Sequence, residues 1–211
     1  PQSIGIFTSI LKREGYKLDL FDCTYYEDID AINLGKNAQK ERMENRNAPV
    51  FSENELHTKG VAPKWGIAED FNKKIEEFQP DLILCSVLES TYYLAMMLLE
   101  SVPKNKRKYK TLFGGVFATY ASEKIIKSDL VDYICRGEGE EAIQDFCHRL
   151  SNGERIDNVK NFTIRADGQI FRNTLRPAVD IESVPIPDWD LFEQGSLYRP
   201  MQGKIWRAVG L

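Results

Sequence analysis

The sequence is poor in histidine, with two residues, His57 and His148, among 211. His57 lies in a polar stretch and His148 lies beside Arg149 on the last predicted helix, so both are more typical of solvated positions than of metal ligands. The four cysteines, at positions 23, 85, 135 and 147, are too widely spaced for a Cys-x-x-Cys metal clip. We therefore expect no metal site, and unpaired thiols in a reducing, cytoplasmic compartment.

Long apolar runs are also missing. No stretch approaches the roughly 20 apolar residues that cross a bilayer, and the opening Pro1-Gln2-Ser3 does not begin a basic and then apolar leader. The net charge of −4 gives no long-range attraction to nucleic acid or to an anionic membrane. With 42% hydrophobic and 28% charged residues, the composition is that of one globular domain with an appendage.

Helical and strand patterns alternate along most of the chain. Apolar strands that alternate with helices predict a mostly parallel sheet with helices on both faces. The residues from 27 to 64 form a polar insertion, partly helical at 36–45. The patterns predict helices at 4–14, 67–78, 90–102, 118–127 and 140–150, and strands at 17–22, 81–86, 110–113 and 131–135.

The pattern changes near residue 155, which we take as the boundary between an α/β domain (1–155) and a second segment (156–211). Residues 161–165 and 169–171 flank Asp167-Gly168, which suits the tight turn of a β-hairpin. Four prolines then interrupt regular structure, while apolar side chains can still anchor the segment. These are Pro177, Pro185, Pro187 and Pro200, and the anchors are Trp189, Leu191, Phe192 and Trp206.

Ligands of such sheets bind beyond the carboxyl ends of the strands, which here directs attention to the loops at 22–25, 86–91, 113–119 and 136–140. Gly114-Gly115 follows a strand and lets a backbone approach a ligand closely, although a tight turn without a ligand explains the pair about equally well. Ser86, Ser90 and Thr91 offer hydroxyls, and Ser90 is expected to cap the next helix.

The run from Arg136 to Glu141 places glycines on either side of an acid at the start of a helix. Acidic residues there stabilise the helix dipole whether or not a ligand binds. Glu138 and Glu140 nevertheless disfavour a phosphate and suit hydrogen-bond donors such as amides or hydroxyls.

Together these segments resemble the cobalamin-binding domain at the N-terminus of many radical SAM enzymes. The glycine pair with its following Ala118-Thr119, and the Arg-Gly-Glu-Gly-Glu run, carry most of the likeness. The resemblance also includes the stretches 3–6, 14–22, 80–83 and 132–142, the hairpin, and 186–192.

The resemblance implies a flavodoxin-like (Rossmann-like) domain that binds cobalamin, with the nucleotide tail displaced from cobalt and inserted beside the sheet. It implies that the hydroxyl and glycine-pair loops line the tail, while Thr119 and the loop from Gly137 bond the ring, sugar or amides. The implied binding residues are Ser3, Ser86, Ser90, Thr91, Gly114, Gly115, Val116, Phe117, Thr119, Gly137, Glu138, Gly139 and Glu140.

The same resemblance implies a larger parent enzyme. Its barrel would hold a [4Fe-4S] cluster and S-adenosylmethionine, and its reaction would be of the methyltransferase type. The chain has no closely spaced cysteine trio, so this part alone is expected to bind cobalamin without radical chemistry.

Some positions depart from the family pattern. Phe117 stands where histidine is frequent, so we expect a polar contact there to be lost. No Asp-x-His-x-x-Gly motif is present, so we expect no histidine beneath cobalt. A sheet of this order is also expected to have a central strand before Pro1.

Two other functions remain open from the sequence: a regulatory interaction module without corrinoid, and a nucleotide or flavin binder that uses Gly114-Gly115. Under the corrinoid hypothesis, Gly115→Leu is expected to block the tail while leaving the fold intact.

Overall fold

The computed structural model describes residues 2–26, 28, 64–166, 168–201 and 204–207, so the helix expected at 36–45 lies outside the described residues. In this part of the chain, no helix combines the length and apolar character needed to span a bilayer. The helices are α1 (Gln2–Arg13), α2 (Ile67–Phe78), α3 (Glu89–Ser101), α4 (Val116–Tyr120), α5 (Ser122–Ile125) and α6 (Glu140–Ser151). The strands are β1 (Leu82–Ser86), β2 (Lys110–Gly114), β3 (Tyr133–Cys135), β4 (Phe162–Ala166), β5 (Gln169–Arg172), β6 (Tyr198–Met201) and β7 (Lys204–Arg207). Short 3-10 helices cover Lys104–Lys106, Ile181–Ser183 and Gln194–Leu197.

Five strands form one sheet in the order β1-β2-β3-β4-β5. The first three strands are parallel, with Leu84 opposite Leu112 and Leu112 opposite Tyr133. β4 and β5 form an antiparallel hairpin that joins the same sheet, since Ile164 pairs with Tyr133. The predicted flavodoxin-like α/β fold with a C-terminal hairpin is therefore confirmed. The domain boundary near residue 155 stays a prediction.

The sheet separates two apolar cores. On one face Phe113 and Ile134 pack with α2 and α3. On the other face Leu112 packs with α1 and α6, where the rings of Phe146 and Phe162 stack 4.4 Å apart. Because Leu112 and Phe113 are neighbours in β2, their side chains point to opposite faces, and burial of both explains the continuous apolar pattern of this strand.

The strand predicted at 17–22 is wrong for the described structure. These residues are extended but belong to no strand. Their side chains pack on α2 instead, with the rings of Phe21 and Phe71 5.2 Å apart and Lys74 bound to Asp19 at 2.7 Å. A strand requires hydrogen bonds to a neighbouring backbone, and none of the described strands pairs with this segment.

Two further sequence predictions need correction. The helix expected at 118–127 begins at Val116 and divides at Ala121 into α4 and α5, which lets Ile125 and Ile126 both be fully buried. Pro200 does not interrupt regular structure, because it lies in β6 opposite Ile205 of β7. A two-stranded hairpin leaves outer edges on which a residue without an N–H group costs no ladder bond.

Residues 177–192 follow the hairpin, and we call them the strap. The strap lies along α1, because the N–H of Asp188 donates to the carbonyl of Gly5 at 2.9 Å and Lys12 binds the Asp188 carboxylate at 2.7 Å. A Cβ atom at Gly5 would lie 2.9 Å from Pro187, so the glycine permits this close approach. At its end Phe192 is buried beside Trp189. Residues 177–192 therefore lie against α1.

Candidate functional site

The loops after β1 and β2 lie side by side at the carboxyl edge of the sheet. The N–H of Val87 donates to the carbonyl of Gly114 at 2.9 Å, and the N–H of Phe117 donates to the carbonyl of Val87 at 3.2 Å. These hydrogen bonds continue the contact between β1 and β2 into the loops that follow them. Two of the loops singled out from the sequence therefore form one continuous surface.

Thr119 joins this surface to the loop after β3. Its hydroxyl accepts a hydrogen bond from the N–H of Gly137 at 2.9 Å and donates to the carbonyl of Gly115 at 3.1 Å. The hydroxyl thus acts as both acceptor and donor, and it links segments that follow different strands. The turns after β1, β2 and β3 accordingly converge at one edge.

The two glycines of the pair have different surroundings. A Cβ atom at Gly115 would lie 2.8 Å from the carbonyl oxygen of Val87, and its φ of 92° with ψ of −178° is a conformation open essentially to glycine alone. Gly115 therefore serves the contact between the loops. At Gly114 no atom lies within 4 Å of the position of a Cβ atom, so a ligand has room there.

The loop after β3 is held on several sides. A Cβ atom at Gly139 would lie 2.6 Å from the Phe7 ring of α1, so this glycine allows the helix to approach. The Glu138 carboxylate accepts a hydrogen bond from the N–H of Val179 in the strap at 2.6 Å. Its carboxylate is therefore engaged by the strap, whereas Gly137 has open space where a Cβ atom would be.

Glu140 opens α6 and has one buried carboxylate oxygen without a hydrogen-bond partner among the described residues. Its charge lies near the thiol of Cys135. Burial, followed by the Glu140 charge, raises the pKa of that thiol to about 12. A buried carboxylate oxygen of this kind can accept a hydrogen bond but repels a phosphate.

The hydroxyl residues occupy exposed positions around the same edge. Ser86 ends β1, and its hydroxyl oxygen lies 3.3 Å from the position of a Cβ atom at Gly115. The prediction that Ser90 caps α3 is wrong, because the helix already begins at Glu89. The hydroxyl of Thr91, within the first turn of α3, accepts a hydrogen bond from the N–H of Leu88 at 2.9 Å and so caps the helix instead.

Large apolar side chains are exposed next to these turns. Leu88 is 55% exposed, Val116 61% and Tyr120 87%. Phe117 instead turns inward, with its ring 5.2 Å from that of Tyr92. Exposed apolar groups that cluster beside a polar loop are typical of a surface that a ligand covers.

Ser3 lies half-buried in α1, apart from the bonds that join the three turns. The sequence did not reveal Asn161 as part of this region. Asn161 is buried, and its side-chain amide donates to the carbonyl of Glu138 at 2.6 Å. The signal that could have identified it is its backbone, because asparagine is among the few residues that adopt positive φ readily, and φ here is 71°.

The described residues contain no cluster of three side chains suited to hold a metal ion. His148 lies on α6, away from the carboxyl edge, where its ring contacts Asn152 at 3.2 Å. The four cysteines are free thiols, and burial raises the pKa of each to about 12. These thiols are protonated near neutral pH and behave as apolar groups.

The fold is an open α/β sheet in which three turns converge at the carboxyl edge, where ligands of such sheets generally bind. The family model described as "B12 binding domain" matches residues 9–146. The chain belongs to this family of B12-binding domains.

Curated relatives are longer than this chain. An uncharacterized methyltransferase of Pyrococcus horikoshii is 25% identical over 133 residues, which cover 60% of this chain and 29% of that protein. The anaerobic magnesium-protoporphyrin IX monomethyl ester cyclase of Cereibacter sphaeroides is 26% identical over 147 residues, covering 65% of this chain and 23% of the cyclase. The chain thus spans less than a third of either relative.

Solved structures share the fold. The radical S-adenosylmethionine methyltransferase TsrM of Kitasatospora setae superposes with a TM-score of 0.57 at 11% identity, over 82% of this chain and 27% of TsrM. The cobalamin-dependent S-adenosylmethionine radical enzyme OxsB, with aqua-cobalamin bound, gives a TM-score of 0.53 at 20% identity, over 73% of this chain and 24% of OxsB.

Proposed function

We propose that this domain binds cobalamin at the edge formed by the turns after β1, β2 and β3. The observation that carries the proposal is the open space at Gly114, in the middle of turns that hydrogen bonds join into one surface. A displaced nucleotide tail needs a place where the backbone can be approached without a side chain in the way. Gly114 offers it, and the neighbouring Gly115 does not.

The residues around Gly114 fit the chemistry of a corrinoid. The exposed side chains of Leu88, Val116 and Tyr120 suit the apolar parts of a macrocycle. The hydroxyls of Ser86 and Ser90, together with backbone groups at Gly137, suit the amide side chains and the sugar of the tail. When bound, the cobalt ion supplies a centre that can carry a methyl group. This chain's own residues bind and orient the ligand.

The proposal extends to a parent enzyme of the cobalamin-dependent radical SAM class, with methyl transfer as its reaction type. Support comes from the likeness to the Pyrococcus horikoshii methyltransferase, TsrM and OxsB, and from the small fraction of each that this chain spans. In such a parent, a barrel joined to the strap would hold a [4Fe-4S] cluster and S-adenosylmethionine. A cytoplasmic location belongs to the same proposal, supported by four free thiols.

The electrostatics at the edge argue against a nucleotide or flavin phosphate. Glu138 and Glu140 place carboxylates in the loop after β3. The nearby Arg136 directs its guanidinium to the carbonyl of Asn173. The multiply charged terminal phosphate of ATP or flavin mononucleotide would therefore meet negative charge at the start of α6, where the helix dipole alone would otherwise favour it, whereas the phosphodiester of a cobalamin tail carries a single charge.

Reconstitution tests the proposal. The chain is mixed with hydroxocobalamin, desalted, and examined by absorption spectroscopy, with flavin mononucleotide and ATP in parallel. We expect one equivalent of cobalamin to be retained with the base-off spectrum of a displaced tail, and neither control to be retained. A colourless protein after desalting would refute cobalamin binding by this domain. Retention of the flavin or of ATP instead would favour the nucleotide-binding alternative.

A further inference from the structure

Asn161 lies between the loop after β3 and the residues that lead into the strap. Each of its backbone and side-chain polar groups forms a hydrogen bond. Its backbone N–H donates to the carbonyl of Thr174 at 2.9 Å, and its carbonyl accepts from the N–H of Arg136 at 2.8 Å. Its side-chain amide donates to the carbonyl of Glu138 at 2.6 Å and accepts from the N–H of Arg176 at 2.5 Å. With 3% of its surface exposed, the residue is almost fully shielded from solvent.

The orientation of this amide is fixed by its partners. A backbone carbonyl can only accept and a backbone N–H can only donate, so the amide nitrogen must face Glu138 and the amide oxygen must face Arg176. Aspartate at this position would keep the acceptor for Arg176 and lose the donor for Glu138. One substitution therefore separates the two contacts.

The contact with Glu138 acts on the loop that the proposed function places against the corrinoid. That loop is held from one side by the Thr119 hydroxyl at Gly137 and from the other by Asn161 at Glu138. A Cβ atom at Gly137 would meet open space, so the held loop leaves room for a ligand at the carboxyl edge of the sheet. The backbone groups of the loop are thus fixed before a ligand arrives, which reduces the entropic cost of binding.

We propose that Asn161 is a positioning residue for the corrinoid: it sets the conformation of the Gly137–Gly139 loop and ties that conformation to the first residues after the hairpin. The inference rests on the proposed function. Asn161 does not itself contact the ligand in this account. It acts through the carbonyl of Glu138.

Asn173 provides a matched control. Its side-chain amide donates to the carbonyls of Asp157 and Val159 at 2.8 and 2.9 Å. Asn173 therefore has the same side-chain chemistry as Asn161, although it is half-buried where Asn161 is buried. Its side chain does not bond the loop after β3. Asn173→Asp removes donors to backbone carbonyls in the same region without touching Glu138.

The experiment measures hydroxocobalamin affinity by absorption titration, and the melting temperature without cofactor, for the 211-residue chain and its variants. We expect Asn161→Asp to raise the dissociation constant on the order of tenfold, because an unsatisfied buried carbonyl leaves the binding conformation less populated. Asn161→Gly, which keeps the positive φ, should fold and show a similar loss. Asn173→Asp should lower the melting temperature comparably and change the affinity less than about twofold.

Wild-type affinity in both Asn161 variants would overturn the inference and leave cobalamin binding intact. An equal loss of affinity in Asn173→Asp would also overturn it, since general destabilisation would then explain the effect. Failure of the wild-type chain to bind hydroxocobalamin would remove the proposed function, and this inference with it. The three results are distinct.

Discussion

The hydroxyl of Thr119 accepts a hydrogen bond from the N–H of Gly137 at 2.9 Å, although the two residues belong to turns that follow different strands. The same hydroxyl donates to Gly115. A single side chain thus sets the distance between the glycine pair and the loop at the start of α6. The shape of the proposed corrinoid site depends on this distance.

Thr119→Val tests the role of that hydroxyl. Valine keeps the volume but removes both hydrogen bonds. Because the Gly137 N–H is exposed and can bond water instead, we expect a loss of only about 0.5–1 kcal/mol in the free energy of unfolding, together with weaker retention of cobalamin. Thr119→Ser keeps the hydroxyl and serves as the control. Chemical denaturation and hydroxocobalamin titration provide the measurements. Equal affinity in wild type and Thr119→Val would show that the hydroxyl does not shape the site.

Substitutions at Gly114 measure the open space directly. Alanine and then leucine fill it progressively, so we expect cobalamin affinity to fall in that order. Alanine should leave the melting temperature little changed, since no atom outside residues 113–115 lies within 4 Å of the Cβ position. Calorimetry and cobalamin titration report the two quantities. A Gly114→Leu protein that binds cobalamin normally would mean that the tail does not pass this residue.

Gly115→Ala is the contrasting control for the Gly114 series. Its Cβ atom would meet the Val87 carbonyl at 2.8 Å and its backbone conformation disfavours any side chain, so we expect a destabilisation of about 1–3 kcal/mol even without cofactor. The sequence-based expectation that Gly115→Leu leaves the fold intact is therefore corrected. An unchanged melting temperature in Gly115→Ala would contradict this packing.

Gly139 packs directly against the Phe7 ring, so a larger residue at position 139 requires a smaller one at position 7. A Cβ atom at Gly139 would lie 2.6 Å from the Phe7 ring, so Gly139→Ala should lower the free energy of unfolding by about 1–3 kcal/mol through overpacking. Phe7→Leu in the same chain should restore part of the loss. A double-mutant cycle measures the coupling, and strict additivity of the two changes would show that α1 does not rest on this loop.

The ion pair between Lys12 and Asp188 makes the attachment of the strap depend on pH. The hydrogen bond from Lys12 lowers the pKa of the Asp188 carboxyl in the folded protein. The group therefore stabilises the fold above the unfolded-state pKa of about 3.9, and this contribution is lost as the pH falls through the lower folded-state value.

Asp188→Asn checks that sign. We expect the variant to be less stable than wild type at pH 7 and the difference to disappear in acid, as measured by thermal unfolding across pH. Asp190→Asn is the matched control, because Asp190 lies 3.7 Å from Lys12 and is much more exposed. A difference between wild type and Asp188→Asn that grows on acidification would contradict the assignment.

Elements with strong local patterns were predictable from the sequence. The helix at 67–78 has a regular apolar face, and Asp167-Gly168 marked the hairpin. The strand prediction at residues 17–22 was wrong because alternating apolar and polar residues predict an extended backbone but do not show whether another strand lies in position to pair with it. The prediction that Ser90 caps α3 was wrong because two adjacent hydroxyls could each accept a hydrogen bond at the start of the helix, and Thr91 is the one that does so.

The candidate site was predictable at the level of loops and less so at the level of residues. The carboxyl ends of parallel strands meet at one edge, so the three turns could be grouped in advance. The different roles of Gly114 and Gly115 depend on the backbone of Val87, which is distant in sequence. Asn161 likewise gains its role from Glu138 and Arg176, which only the folded chain brings together.

A crystal structure of the chain with hydroxocobalamin tests the central claim most directly. We expect the corrinoid to lie beyond the carboxyl ends of β1, β2 and β3, with its tail against Gly114 and its periphery near Gly137. A corrinoid bound elsewhere would contradict it, for example in the hollow between α2 and the segment at 20–22 that Asp70 and Lys74 line.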